Sequence, residues 1–139
     1  MRKKISFVHT PEIYYEQNYG ARFAPVWAYT LASYIGSDWT VSVHDISLED
    51  ISQVQDSDIF AFSGINQDFN SIKRAYANIK ERFPKSKFIL GGPITWSFEK
   101  NGNLVDLMYF DHLFILDGEK TFPQFLADLE TGKPLAQII

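Results

Sequence analysis

Asp58-Ile-Phe-Ala-Phe-Ser63-Gly64-Ile65, a helical run over residues 66–83, and Lys87-Phe-Ile-Leu90-Gly91-Gly92-Pro93 together decide the fold. Within the run, Phe69, Ile72, Tyr76, Ile79 and Phe83 recur at steps of three and four, which is one face of an α-helix. Lys73, Arg74, Asn78, Lys80, Glu81 and Arg82 fall mostly off that face. Asn66 or Asp68 is placed to cap its start, since a short polar side chain accepts from the orphan N–H groups of a first turn. Pro84 ends it, because the residue before a proline is pushed out of the helical region. The flanking runs 59–62 and 88–90 are continuously apolar, as strands buried on both faces of a parallel sheet are. A strand–helix–strand crossover of this kind is right-handed.

Working outward, residues 4–8 and 40–45 read as strands, the second with Val41 and Val43 alternating. Residues 11–22 form a long connection containing Tyr14, Tyr15, Asn18, Tyr19 and Gly20. Residues 25–35 are expected to be a helix with apolar stripes, capped by Gly36. Ser47 is expected to cap a short helix that turns Leu48, Ile51 and Val54 inward. Beyond Pro93, residues 94–98 lead to the turn signal Asn101-Gly102-Asn103. A short helix over 104–109, a fifth strand over 112–116 and a last helix over 121–129 complete the chain. Phe122, Phe125, Leu126 and Leu129 face inward in that last helix. Regular alternation of strand and helix predicts an α/β fold. The expected architecture is a doubly wound, five-stranded parallel sheet in the flavodoxin-like order 2-1-3-4-5 with helices on both faces.

The 139 residues suit one domain, 1–139. With 12 Phe, 7 Tyr and 3 Trp the chain can build a substantial core. A net charge of −4 argues against nucleic acid as a partner, because phosphate neutralisation needs surplus Lys and Arg. There is no cysteine, so disulfides, thiolate metal sites and cysteine-held iron–sulfur clusters are excluded. This composition is compatible with a cytoplasmic location. No apolar run approaches the roughly 20 residues that span a bilayer, so no membrane partner is expected.

In doubly wound sheets ligands sit outside the carboxyl ends of the strands. Those ends are His9-Thr10, Asp45, Ser63-Gly64-Ile65, Gly91-Gly92-Pro93 and Gly118-Glu119. The segment after the first strand has neither a phosphate-cradling P-loop nor a three-glycine dinucleotide fingerprint. It is rich in Tyr, where a flavin phosphate loop would be rich in Ser, Thr and Gly. A phospho-receiver would need an acceptor Asp ending the third strand and an acidic pair ending the first; Ser63-Gly64 and His9-Thr10 stand there. What remains is an edge of glycines and small hydroxyls. Gly91-Gly92 leaves room against the backbone or simply makes a tight turn, and Ser63 is a ligand donor or only a strand-end cap. No catalytic residue is assigned. No His–carboxylate cluster has metal-ligand spacing; His9 reads as an ordinary strand-end histidine and His44 and His112 as structural.

Asp58-Ile-Phe-Ala-Phe-Ser63-Gly64, Ile79-Lys-Glu-Arg-Phe-Pro84, Phe88-Ile-Leu-Gly91-Gly92-Pro93 and Phe114-Ile-Leu-Asp117-Gly118-Glu119 carry a resemblance. In that order, they resemble the N-terminal cobalamin-binding domain of cobalamin-dependent radical S-adenosylmethionine enzymes. The resemblance implies a metal-binding corrin held over the strand ends, with its nucleotide tail in a groove between sheet and helix. Ser63 and Gly64 would line that groove, Gly91, Gly92 and Pro93 would flank the tail, and Gly118 and Glu119 would close the other side. Thr10 and Ile65 would complete the cofactor-binding tips. The family's Asp-x-His-x-x-Gly cobalt motif is absent after the first strand.

The resemblance further implies service to a methyltransferase. The iron–sulfur cluster and S-adenosylmethionine would belong to a cysteine-containing radical domain, in cis or trans, and this chain would be the N-terminal part of a longer enzyme. A second reading is a ligand-free doubly wound protein-interaction module. It follows from the missing histidine motif, the missing cysteines and the aromatic-rich connection. Space at the strand tips, empty or occupied by the chain's own side chains, separates the two.

Overall fold

The structure, a computed structural model, describes residues 3–12 and 24–139. The Tyr-rich part of the connection after the first strand, which under the cobalamin resemblance would lie near the corrin, is outside these residues. Five parallel strands form one sheet in the order β2-β1-β3-β4-β5. They are β1 (Lys3–His9), β2 (Trp39–Asp45), β3 (Ile59–Ser63), β4 (Lys87–Gly91) and β5 (His112–Leu113). The helices are α1 (Val26–Ala32), α2 (Phe69–Arg82), α3 (Pro93–Lys100) and α4 (Gly118–Glu130). The expected doubly wound architecture and strand order are therefore those of the molecule.

Pleating sends successive strand residues to opposite faces and so builds two cores. Val8, Phe60, Phe62, Phe88 and Leu90 pack with Ile72, Ala75 and Ile79 of α2 and Ile94 and Phe98 of α3. Ile5, Phe7, Ile59, Ala61 and Ile89 pack with Ala28 of α1 and Phe122, Phe125 and Leu126 of α4. The continuous apolar runs of β3 and β4 are needed because both faces of these strands are covered.

Five local readings are corrected. Residues 93–100, unassigned from sequence, form α3: Pro93 occupies the first helical turn, where its missing N–H costs nothing, and Ile94 and Phe98 bury one stripe. No helix begins at Ser47. The Asp45 carboxylate accepts from the Ser47 N–H at 3.0 Å and from its hydroxyl at 2.5 Å, turning the chain directly after β2. Leu48 is left 71% exposed, and only a 3-10 turn over Ile51–Gln53 follows. The short helix expected over 104–109 is a 3-10 segment, Leu104–Leu107. β5 is two residues long, and α4 starts at Gly118 rather than Thr121.

The outer edge of β5 is covered by the chain's own tail. The Leu113 N–H donates to the Gln137 carbonyl at 2.6 Å, and the Ile139 N–H donates to the Leu113 carbonyl at 2.8 Å. This occupies backbone groups that an open edge would leave unpaired.

Candidate functional site

Register places the strand tips in one row: Asp45 beside His9, His9 beside Ser63, and Ser63 beside Gly91. The Asp45 end of the row is tied down internally. Asp45 is engaged with Ser47, as described. The Asp68 carboxylate accepts from the Ile65 N–H and the Glu12 N–H, both at 2.9 Å. The Ser71 hydroxyl donates to the Thr10 carbonyl at 2.5 Å, and Arg74 pairs with Glu12 at 2.9 Å. Thr10 is itself buried, and its hydroxyl has no partner among the described residues. It borders a hollow of about 540 Å³ shared with Glu12, Asp50 and Arg74.

The other end of the row is different. A cavity of about 380 Å³ opens between the sheet and the first turns of α1 and α4. Ala61 and Ile89 form its floor; Trp27, Leu31, Phe114 and Phe122 form its walls. Ser63, Gly91, Gly92, Pro93, Gly118 and Glu119 also line it, so six of the nine residues singled out from sequence meet at one place. Thr10, Gly64 and Ile65 do not. Thr10 and Gly64 are held on the α2 side of the row, and the Ile65 side chain is 47% exposed. An adjoining hollow of about 590 Å³ shares Gly92, Pro93, Leu116, Asp117 and Gly118 and adds Trp96 and Lys120.

Trp27 is positioned by its Nε1–H, which donates to His9 Nδ1 at 3.0 Å, and by an edge-on contact with Phe7. This bond engages one ring nitrogen of His9. Thr95, buried in α3, donates from its hydroxyl to the carbonyls of Gly92 (2.8 Å) and Phe114 (2.6 Å). It therefore locks the start of α3 to the end of β5. Sequence reasoning missed Trp27, Leu31, Phe114 and Thr95. The i, i+4 pair Ile94 and Phe98 after Pro93 was the available signal for α3, which would have brought Thr95 to the edge.

The glycines answer to the chain's own packing. Gly92 sits at φ +87°, where side chains are strained, and a Cβ there would collide with Ser63 Oγ. A Cβ on Gly64 would fall 2.8 Å from the Asp68 carboxylate and 3.0 Å from Ile72. Gly118 differs: a Cβ would make an ordinary 3.6 Å contact with Leu31.

An open parallel sheet in the order 2-1-3-4-5 with a site at its carboxyl edge defines the structural class. Within that class the chain is similar to a structure of the Salmonella typhimurium response regulator RcsB described for conformational dynamism in DNA interaction. That match has 14% identity and a TM-score of 0.59 and covers 98% of this chain. The chain spans 64% of the length of that protein. It is also similar to the isolated receiver domain of RcsB from Salmonella enterica serovar Typhimurium in the apo form. There the identity is 13%, the TM-score 0.57, and the coverage 94% of this chain and 90% of that one. No protein-family profile and no curated protein matches the chain.

The likeness is one of fold. It corrects the resemblance drawn from the Leu-Gly-Gly-Pro and Gly-Glu segments, because the two structures named above are a response regulator and an isolated receiver domain and not cobalamin-binding domains of radical S-adenosylmethionine enzymes. The cobalamin-binding, radical and methyltransferase assignments fall with it. The metal-binding assignment falls too: no group of three or more His, Asp or Glu able to hold a metal occurs among the described residues. The physical reason lies in Gly64 and Gly92, whose missing side chains make way for Asp68, Ile72 and Ser63. No described helix is long and apolar enough to cross a membrane.

Proposed function

We propose that this chain is a receiver-like protein-interaction module that docks a partner at the carboxyl edge of its sheet and operates without an aspartyl phosphate. The observation that carries this is the apolar groove between α3 and α4. There Trp96 (49% exposed) and Leu116 (71% exposed) flank a hollow of about 590 Å³. Large apolar side chains left exposed around a depression are the usual anchor points of a protein partner. The strand tips support the second half of the reading. A carboxylate at the end of β3 would be the phosphoryl acceptor; Ser63 stands there, with His9 and Thr10 at the end of β1.

The test places a photo-crosslinking amino acid at position 96 or 116, with a control at Lys85 on the opposite end of the sheet, in cells that express the chain. A discrete protein adduct from 96 and 116, absent from 85 and lost when the 96 probe is combined with Leu116→Glu, is expected. Adducts independent of position, or none, overturn the docking reading. An acid-labile phosphoryl adduct on an aspartate after treatment with acetyl phosphate overturns the other half.

A further inference from the structure

The cavity on the α1 side of the strand tips carries an inference of its own, which does not rest on the docking groove. Its volume of about 380 Å³ lies within the roughly 300–1,000 Å³ typical of small-molecule sites, and its mostly apolar lining with a few polar groups is typical too. The wall is preformed: His9 holds the Trp27 indole, and Phe122 packs against Phe114 with ring centroids 6.0 Å apart. Such a wall suits an aromatic or branched aliphatic group.

Charge selects the other end of the ligand. Among the described residues, Asp117 and Glu119 are the charged groups that line the cavity, and both are exposed at its mouth. Lys120 belongs to the adjoining hollow. The first turns of α3 and α4 also reach this edge, and each helix start counts for about half a positive charge. Two carboxylates against about one unit of helix charge leave the mouth negative by roughly one unit. An ammonium is favoured there and a carboxylate disfavoured.

We propose that this cavity binds a small primary amine with an aromatic or branched aliphatic body, the body against Phe114 and Phe122 and the ammonium between Asp117 and Glu119. Because both carboxylates are solvated, the charge preference is modest and weakens with added salt.

The full chain, isotopically labelled and at low ionic strength, is titrated with 2-phenylethylamine, 2-phenylethanol and phenylacetate while backbone amide shifts are followed. Saturable shifts confined to residues around the cavity are expected, with the amine binding roughly tenfold more tightly than the carboxylate. Asp117→Asn with Glu119→Gln leaves the two helix starts unopposed at the mouth, so it should reverse that preference toward phenylacetate and leave the alcohol's affinity unchanged. Thr30→Trp, on the half-buried side of α1, should fill the space and abolish all three titrations. Ala61→Leu fills it from the floor and serves as the second blocking variant, the fold of each being checked by its amide spectrum. No saturable shift with any probe, undiminished binding in a folded blocking variant, or phenylacetate binding as tightly as the amine would each overturn the proposal.

Discussion

The two faces of the sheet are filled to different degrees. On the α2–α3 face Phe60 stacks on Phe83 and Phe88 with centroids 5.7 and 5.3 Å apart, and Tyr76 closes on Phe88 and Phe110 at 5.0 and 5.1 Å. On the α1–α4 face Phe114, Phe122 and Phe125 make a similar cluster, but packing toward the carboxyl edge stops at the 380 Å³ cavity. Aromatic content does not explain the contrast, since both faces are rich in it. Helix geometry does. α2 has 14 residues and lays Ile72, Ala75 and Ile79 along the sheet, whereas α1 has seven, buries Ala28, and leaves Val26 and Tyr29 exposed at 65% and 57%. A short helix with one buried small residue cannot fill the space above Ala61 and Ile89.

The contrast is open to direct attack, beginning on the filled face. Phe88→Ala should cost about 3–5 kcal/mol, the usual penalty for a large core cavity, read from urea unfolding. A loss near that of a surface change would mean the face is not tightly packed. Gly92→Ala should cost about 2–3 kcal/mol through backbone strain and collision with Ser63. Adding Ser63→Gly should recover the collision part but not the strain. If Ser63→Gly recovers nothing, Ser63 does not fill the gap at Gly92. Asp68→Ala leaves the Ile65 and Glu12 N–H groups without their acceptor, for a loss of about 1–2 kcal/mol.

Smaller effects are expected where packing is already incomplete. Leu31→Ala, on the cavity wall, should cost only about 1 kcal/mol because the side chain is half-buried and lacks neighbours on one side. A loss matching that of Phe88→Ala would erase the distinction between the faces. The last test uses pH. Burial first, and neighbouring Tyr76 second, push the Tyr109 phenol up to about 12. The unfolded chain ionises this group near 10, so it releases the proton while the folded chain still holds it. Stability should therefore fall as pH rises from about 10 to about 12. Phenolate absorbance of the folded protein should show Tyr109, and with it Tyr76, which burial also pushes up, titrating late, and a uniform midpoint near 10 would count against the packing at Tyr109.

The fold was largely readable because its signals are local. The period of three and four in α2, the unbroken apolar runs of β3 and β4 and the proline at 84 each report backbone geometry within a few residues. α3 escaped because eight residues opening with a proline offer one i, i+4 pair. The expected helix at Ser47 failed because Asp45 competes for the same N–H and hydroxyl.

The site was legible only in part. Position at the strand ends follows from topology, and six of the nine chosen residues line one cavity for that reason. Gly91-Gly92 suggests room against the backbone, yet what occupies the volume beside a glycine is decided by packing, by Ser63 of another strand at Gly92 and by Asp68 of the following turn at Gly64. Alternating strands and helices with covered faces thus determined, from the chain alone, a parallel doubly wound sheet. Which gaps at its edge are filled and which stay open was decided only by tertiary packing, because a void belongs to no residue and depends on how far each neighbouring side chain reaches into it.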